Sequence, residues 1–243
     1  MTFTTLITAD QLQALMDSDQ RLMVFDCSFD LAQPQAGNQH FIDAHIPGAV
    51  RADLDRHLSA KDDPHAASGG RHPLPSRAAI AQWLGEIGFS NDMQAVVYDR
   101  QGVTFSGRLW WMLKWLGHEA VAVLDGGMPA WYAAGGVVTS GVPMVHAPKR
   151  FTPGPAHARL VSVQQVQALL EDPAQQLIDA RAGPRFRGET EPLDPVAGHI
   201  PGALNRPFGD NIGDDGRFKP AVVLKAEFLE LLDGRDPSTV VHH

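Results

Sequence analysis

The pentapeptide His45-Ile-Pro-Gly-Ala49 returns 154 residues later as His199-Ile-Pro-Gly-Ala203. An identity of this length at a fixed offset constrains the chain to two copies of one unit when other elements share the spacing, and they do. Thr8-Ala-Asp-Gln11 precedes Leu12, Leu15 and Met16, and Ser162-Val-Gln-Gln165 precedes Val166, Leu169 and Leu170. Both segments read as helices opened by a capping box, with apolar side chains on one face. Val24-Phe25-Asp26 and Leu177-Ile178-Asp179 each end a short buried strand, at an offset of 153. Pro75-Ser76 opens a helix carrying Trp83 and Leu84, and Pro220-Ala221 opens one carrying Phe228 and Leu229. That offset is 145, so the connecting loop in the second copy is shorter by nine residues.

Helices and strands alternate in each copy, which predicts an α/β fold in which a parallel sheet is flanked by helices. The segment from Gly141 to Pro155 carries four prolines (143, 148, 153 and 155), a density that excludes helix and central strand and predicts an extended linker. The expected organisation is therefore a first domain over 1–140, a linker over 141–155 and a second domain over 156–243. Two similar domains could be a plain duplication or could meet at a cleft.

With 20 Lys+Arg against 28 Asp+Glu the net charge is −8, which argues against a nucleic-acid binder. No run of about 18 apolar residues predicts a membrane span. No basic n-region followed by an apolar stretch predicts a secretory signal. Cys27 is the one cysteine, which excludes an internal disulfide framework and a cysteine-rich zinc site. The eleven histidines show no metal-ligand spacing. A cytoplasmic protein without metal or organic cofactor is the expectation, and internal duplication makes a monomer the expected state.

In the first copy, the strand Ala95-Val-Val-Tyr98 leads into the loop Asp99-Arg-Gln-Gly-Val-Thr-Phe-Ser-Gly107 and then the helix from Arg108. Free N–H groups of such a loop and a helix N-terminus favour an anion. The Asp99 carboxylate is placed to fill that cradle itself. At offset 145 this strand maps onto Val240-Val-His-His243, so the counterpart of Asp99 would be the residue following His243. The second copy is accordingly expected to be incomplete here, truncated before its active-site loop, with the natural protein continuing.

These segments resemble the two-domain rhodanese family of sulfurtransferases, which includes thiosulfate and 3-mercaptopyruvate sulfurtransferases. The resemblance is carried by Phe41-Ile-Asp-Ala-His-Ile-Pro-Gly-Ala49, by Gly198-His-Ile-Pro-Gly-Ala-Leu-Asn205, by Arg185-Phe-Arg-Gly188 with Glu191-Pro192, and by Leu124-Asp-Gly-Gly-Met-Pro-Ala-Trp131. It runs through the whole chain and implies two tandem rhodanese-like domains, the first catalytically silent. It implies that a sulfane sulfur moves from a small anionic donor, thiosulfate or 3-mercaptopyruvate, through a cysteine persulfide to cyanide or a thiol. The nucleophile is implied at the residue following His243, with Asp99 as its silent-domain equivalent. Arg185 is implied as the donor-binding cation, with Arg187 as a second candidate. A planar guanidinium suits a carboxylate or sulfonate, although from spacing alone Arg185 could equally form a loop salt bridge with Glu189 or Glu191. Some mercaptopyruvate enzymes of the family carry a further arginine a few residues on, where this chain has Leu193-Asp194-Pro195.

Cys27 reads as a packed core residue. His45 and His199, being duplicated, read as structural, and Asp26 and Asp179 as loop caps. Trp110, Trp111 and Trp115 read as packing residues, and 61–70 as a mobile polar loop. Two rival functions share these features: a phosphatase of the related fold, with a longer loop, and a non-catalytic binding or regulatory module.

Overall fold

The short apolar runs form parallel strands, and the capped segments between them form helices. A computed structural model describes residues 1–170, 172 and 176–243, and the chain divides into two units, Met1–Leu160 and Val161–His243.

In the first unit the strands are β1 (Leu6–Ile7), β2 (Leu22–Asp26), β3 (Val50–Arg51), β4 (Gln94–Tyr98) and β5 (Val121–Leu124). They form one sheet in the order β1-β5-β4-β2-β3, with every pairing parallel. Side chains alternate across a strand, so both faces of such a sheet need cover. Met23, Phe25, Ala95 and Val97 point to one face, where α3 (Arg77–Glu86) and α4 (Ser106–Trp115) cover them with Ile80, Leu84, Leu109 and Met112. Val24, Val96, Ala122 and Leu124 point to the other. That face is closed by α1 (Ala9–Met16), α2 (Ala36–Asp43) and α5 (Gly127–Ala133) through Leu12, Leu15, Phe41 and Trp131.

The capping boxes form in both copies. Gln11 N–H donates to Thr8 Oγ1 at 3.2 Å, and Gln165 N–H to Ser162 Oγ at 3.2 Å. The repeated pentapeptide is a turn. Ala49 N–H donates to the Ile46 carbonyl at 2.9 Å and Ala203 N–H to that of Ile200 at 3.0 Å. Gly48 at φ 75° and Gly202 at φ 80° sit at the third position, which a type II turn with Pro before it requires to be left-handed.

The proline-rich segment has no regular structure and lies against the first unit rather than spanning free space. Lys149 N–H donates to Gly85 O at 2.8 Å, and Gly154 N–H to Leu116 O at 2.8 Å. Phe151 stacks on Phe89 at 5.6 Å. The loop expected to be mobile around 61–70 is tied at its base. The buried Arg108 guanidinium donates to Leu58 O at 2.7 Å and to His72 O at 2.8 Å. Burial without a carboxylate partner lowers its pKa to about 10.

The second unit repeats the middle of this plan. Its strands β6 (Gln176–Asp179), β7 (Leu204–Asn205) and β8 (Val240–His242) run parallel in the order β7-β6-β8, the counterpart of β3-β2-β4. With them go α6 (Val163–Ala168), the short α7 (Gly183–Phe186) and α8 (Ala221–Leu232). A cavity of about 340 Å³ between α8 and the strands is lined by Ile178, Phe228, Leu229, Leu232 and Val240. In the first unit the matching face is filled by α4.

A Cβ added at Gly48 or Gly202 meets nothing within 4 Å, so its cost comes from backbone conformation alone. Gly48→Ala should destabilise the first unit by about 1–2 kcal/mol, lowering Tm by roughly 2–8 °C, and Gly202→Ala should do the same to the second. Thermal unfolding followed by circular dichroism measures both.

Candidate active site

The first unit displays an occupied anion cradle. Asp99 follows β4 and is fully buried. Its Oδ1 accepts from Gln101 N–H at 2.9 Å and Val103 N–H at 3.1 Å. Its Oδ2 accepts from Phe105 N–H at 2.9 Å and from Ser106 N–H, at the start of α4, at 2.8 Å. Gly102 at φ 62° and Val103 at φ 71° turn the loop so that these donors converge. A β-branched residue in that region is strained, and the four charge-assisted bonds offset the strain. A loop of this shape after a parallel strand holds a negative atom at the strand's carboxyl end.

Hydrogen-bond register transfers this place to the second unit. Asp26 pairs with Tyr98 across β2 and β4, and Cys27 N–H donates to Tyr98 O at 2.8 Å. In the second unit Ile178 pairs with His242, and Ala180 N–H donates to His243 O at 3.1 Å. Tyr98 and His243 are therefore equivalent, and the position after His243 is the counterpart of Asp99.

Around that strand end lies a chain of alternating charges. Asp179, fully buried, takes Arg181 Nε on Oδ1 at 3.0 Å and Nη2 on Oδ2 at 2.5 Å. Burial pushes the Asp179 carboxyl up, but the Arg181 hydrogen bonds outweigh it and its pKa falls below the usual aspartate value. His243 Nε2 is 3.6 Å from Asp179 Oδ2. Desolvation lowers the pKa of His242 and His243 alike, against the pull of Asp179 on His243. Arg181 Nη2 also donates to Gly198 O at 2.7 Å, and its Nη1 lies 3.6 Å from Glu191 Oε2.

Arg185 sits on α7 beside this chain. Its Nε and Nη2 donate to Glu191 at 3.1 and 2.8 Å, and Nη2 also donates to Asp194 Oδ2 at 2.9 Å. Nη1 has no partner among the described residues. The Glu191 carboxylate is only 4% exposed. Its hydrogen bonds from Arg185 hold its pKa at about 2. Arg187, at 56% side-chain exposure, forms a surface pair with Glu189 at 2.7 Å. Phe186 and His199 stack at 3.7 Å, as Phe41 and His45 do at 3.9 Å. Phe41 precedes His45 by four residues and Phe186 precedes His199 by thirteen, so the second copy has gained nine residues here. That insertion carries Glu189, Glu191 and Asp194.

Sequence comparison matches residues 8–134 to the rhodanese-like domain family. A probable 3-mercaptopyruvate sulfurtransferase of Pseudomonas aeruginosa is 46% identical over 99% of this chain and 84% of its own length. The 3-mercaptopyruvate sulfurtransferase of Homo sapiens is 34% identical over 87% of this chain and 70% of its own. A solved 3-mercaptopyruvate sulfurtransferase from Leishmania major superposes with a TM-score of 0.80 at 27% identity, covering 98% of this chain and 65% of that one. The chain belongs to the rhodanese family.

In this rhodanese chain, Cys27 is 1% exposed inside the first unit. Burial, with Asp26 and Asp99 nearby, raises its pKa well above the usual thiol value, which suppresses the reactive thiolate. His45 and His199 each hold a carbonyl through Nδ1 at 2.7 Å, those of Phe41 and Phe186. Asp26 and Asp179 do cap loops, accepting from Ser28 N–H at 2.8 Å and Arg181 N–H at 2.9 Å. Among the described residues no group of three or more acidic, histidine or cysteine side chains is placed to hold a metal, and no helix is long and apolar enough to cross a membrane. Sequence reasoning missed Arg181; an arginine two residues after a strand-end aspartate was its signal.

Asp99→Ala leaves four N–H groups without their carboxylate, that of Ser106 buried and those of Gln101, Val103 and Phe105 part-buried, and should cost the first unit about 3 kcal/mol in urea unfolding. Glu191 has a folded pKa depressed from 4.5 to about 2, so its contribution is complete above pH 4.5 and is lost as pH falls towards 2. Glu191→Gln should lower stability at pH 7 and flatten the dependence in that acid window, read from urea midpoints across pH.

Proposed function

We propose that this rhodanese chain moves a sulfane sulfur from thiosulfate or 3-mercaptopyruvate to cyanide or a thiol through a cysteine persulfide carried at the residue following His243. The equivalence of that position with Asp99 is the observation that carries the reading. A site that holds a carboxylate with four N–H groups in one copy is suited to hold a thiolate in the other. Such donors lower a cysteine pKa and favour the attacking form.

The thiolate attacks the outer sulfur of thiosulfate, the S–S bond breaks, and sulfite leaves with the electron pair. With 3-mercaptopyruvate the C–S bond breaks instead, and the carbon takes up a proton as pyruvate forms. An acceptor nucleophile then attacks the outer persulfide sulfur and releases the thiolate. Both donors bring an anionic group, and Arg185 is the cation proposed to bind it through the edge that Glu191 leaves open. Arg187 is a weaker candidate, since its side chain is more than half exposed and its Nε–Nη2 edge pairs with Glu189 at the surface.

In the polypeptide carried through its nucleophile, donor without acceptor should add one sulfur to the active-site peptide in mass spectrometry, and cyanide should remove it. Arg185→Ala should lower kcat/KM for the donor by about 10–100-fold, the worth of a charge-assisted hydrogen-bond pair. A thiol that takes up no sulfur from either donor overturns the reading.

A further inference from the structure

A guanidinium offers two bidentate edges to oxyanions. In Arg185 the edge formed by Nε and Nη2 is taken by Glu191. The remaining edge is formed by Nη1 and Nη2, and Asp194 Oδ2 already holds its Nη2 at 2.9 Å. We infer that Asp194 is an internal competitor for the donor: its carboxylate occupies half of the one edge of Arg185 on which a donor oxyanion can bind, and so sets the donor affinity and anion selectivity of the site. The inference rests on the proposed donor role of Arg185.

The two acids holding Arg185 differ in a way that assigns them different tasks. Glu191 is 4% exposed and is held by both arginines of the charge chain, whereas the Asp194 side chain is 43% exposed. Displacing Glu191 would strand a buried carboxylate, whereas the half-exposed Asp194 keeps its contact with water when it gives up Arg185. An incoming anion therefore exchanges with Asp194 and leaves Glu191 in place as the clamp that orients the guanidinium. Both acids lie in the nine-residue insertion that separates this unit from its silent counterpart.

The charge count points the same way. Arg181 and Arg185 face Asp179, Glu191 and Asp194, so the resting cluster carries one net negative charge and disfavours a free anion. Swinging Asp194 out leaves it neutral; a singly charged carboxylate then restores the charge that Asp194 supplied, whereas the thiosulfate dianion adds one negative charge more. A dianion such as thiosulfate gains less from this exchange than it would from a bare arginine. Donor affinity is thereby traded for easy release of the anionic product.

The test is steady-state turnover of thiosulfate with cyanide by Asp194→Asn in the polypeptide carried through its nucleophile, with exposed Asp214→Asn as a charge-matched control. Asp194→Asn should lower the KM for thiosulfate about 3–10-fold with kcat unchanged or reduced, and should steepen the rise of KM with added sodium chloride. Asp214→Asn should change neither. An unchanged or raised KM in Asp194→Asn overturns the inference, as does an equal fall in both variants, which would report general field rather than competition. Absence of turnover in the unmodified protein with either donor would instead defeat the functional reading, so the two failures are separable.

Discussion

Four backbone N–H groups aimed at one point are the constraint on which this architecture depends. They call for an acceptor, because a donor left orphaned where water cannot reach it costs about 1–3 kcal/mol. A strained Val103 is tolerated to bring them together. In the first unit the cost is met by a side chain of the chain itself, Asp99, and the site is closed to outside anions. The same geometry with a thiol in place of the carboxylate is a chemical instrument, since the donors stabilise the thiolate. One side chain at the end of one strand thus decides what this cradle holds.

The strand end is in turn fixed by parallel pairing. β2 and β6 are central strands flanked on both sides, and each ends in a buried aspartate whose carboxylate caps the next turn. In the first copy Asp26 lies 3.9 Å from Arg51 Nη1 and 3.7 Å from Arg100 Nη2. In the second the bidentate partner is Arg181, from the residue equivalent to Ser28. The counter-charge has moved from neighbouring elements into the loop itself. That shift places a guanidinium within reach of Glu191 and links the strand end to Arg185 through alternating charges. Surface ion pairs contribute little, but this chain is anchored at a fully buried carboxylate and is screened far less.

Local chemistry explains what was legible beforehand. Thr8 with Gln11, and Ser162 with Gln165, form capping boxes because the residues that make them are sequence neighbours. The Ile-Pro-Gly-Ala turn is likewise encoded by Pro and Gly in adjacent positions. The Asp99 cradle could be read because strand, glycine and helix follow one another without interruption. Arg185 was located by its motif, yet its engagement by Glu191 and Asp194 depends on how the loop 187–197 folds back over α7. No periodicity describes that loop. The docking of 141–155 on Gly85, Asn91 and Leu116 escaped notice for the same reason: prolines exclude helix and strand but say nothing about which surface an extended segment meets. The α6 face also differs from expectation, since Leu169 and Leu170 are 38% and 39% exposed while Leu12 and Leu15 on α1 are buried. In the first unit β5 and α5 supply the residues that close that face, and the second unit contains no counterpart of either among the described residues.

Cys27 shows why position rather than residue type decides reactivity. It follows β2, where register makes it the counterpart of Ala180, one strand away from the cradle. Its amide is spent on Tyr98 O, its side chain is enclosed by apolar neighbours, and the two closest acids, Asp26 and Asp99, oppose a second negative charge. A thiolate there would lack both hydration and donors. A thiol placed in line with Asp99 would be just as enclosed but would face four convergent N–H groups and the positive end of a helix. The electrostatics of the sheet's carboxyl edge therefore disfavour a thiolate at Cys27 and favour a negative atom in line with Asp99.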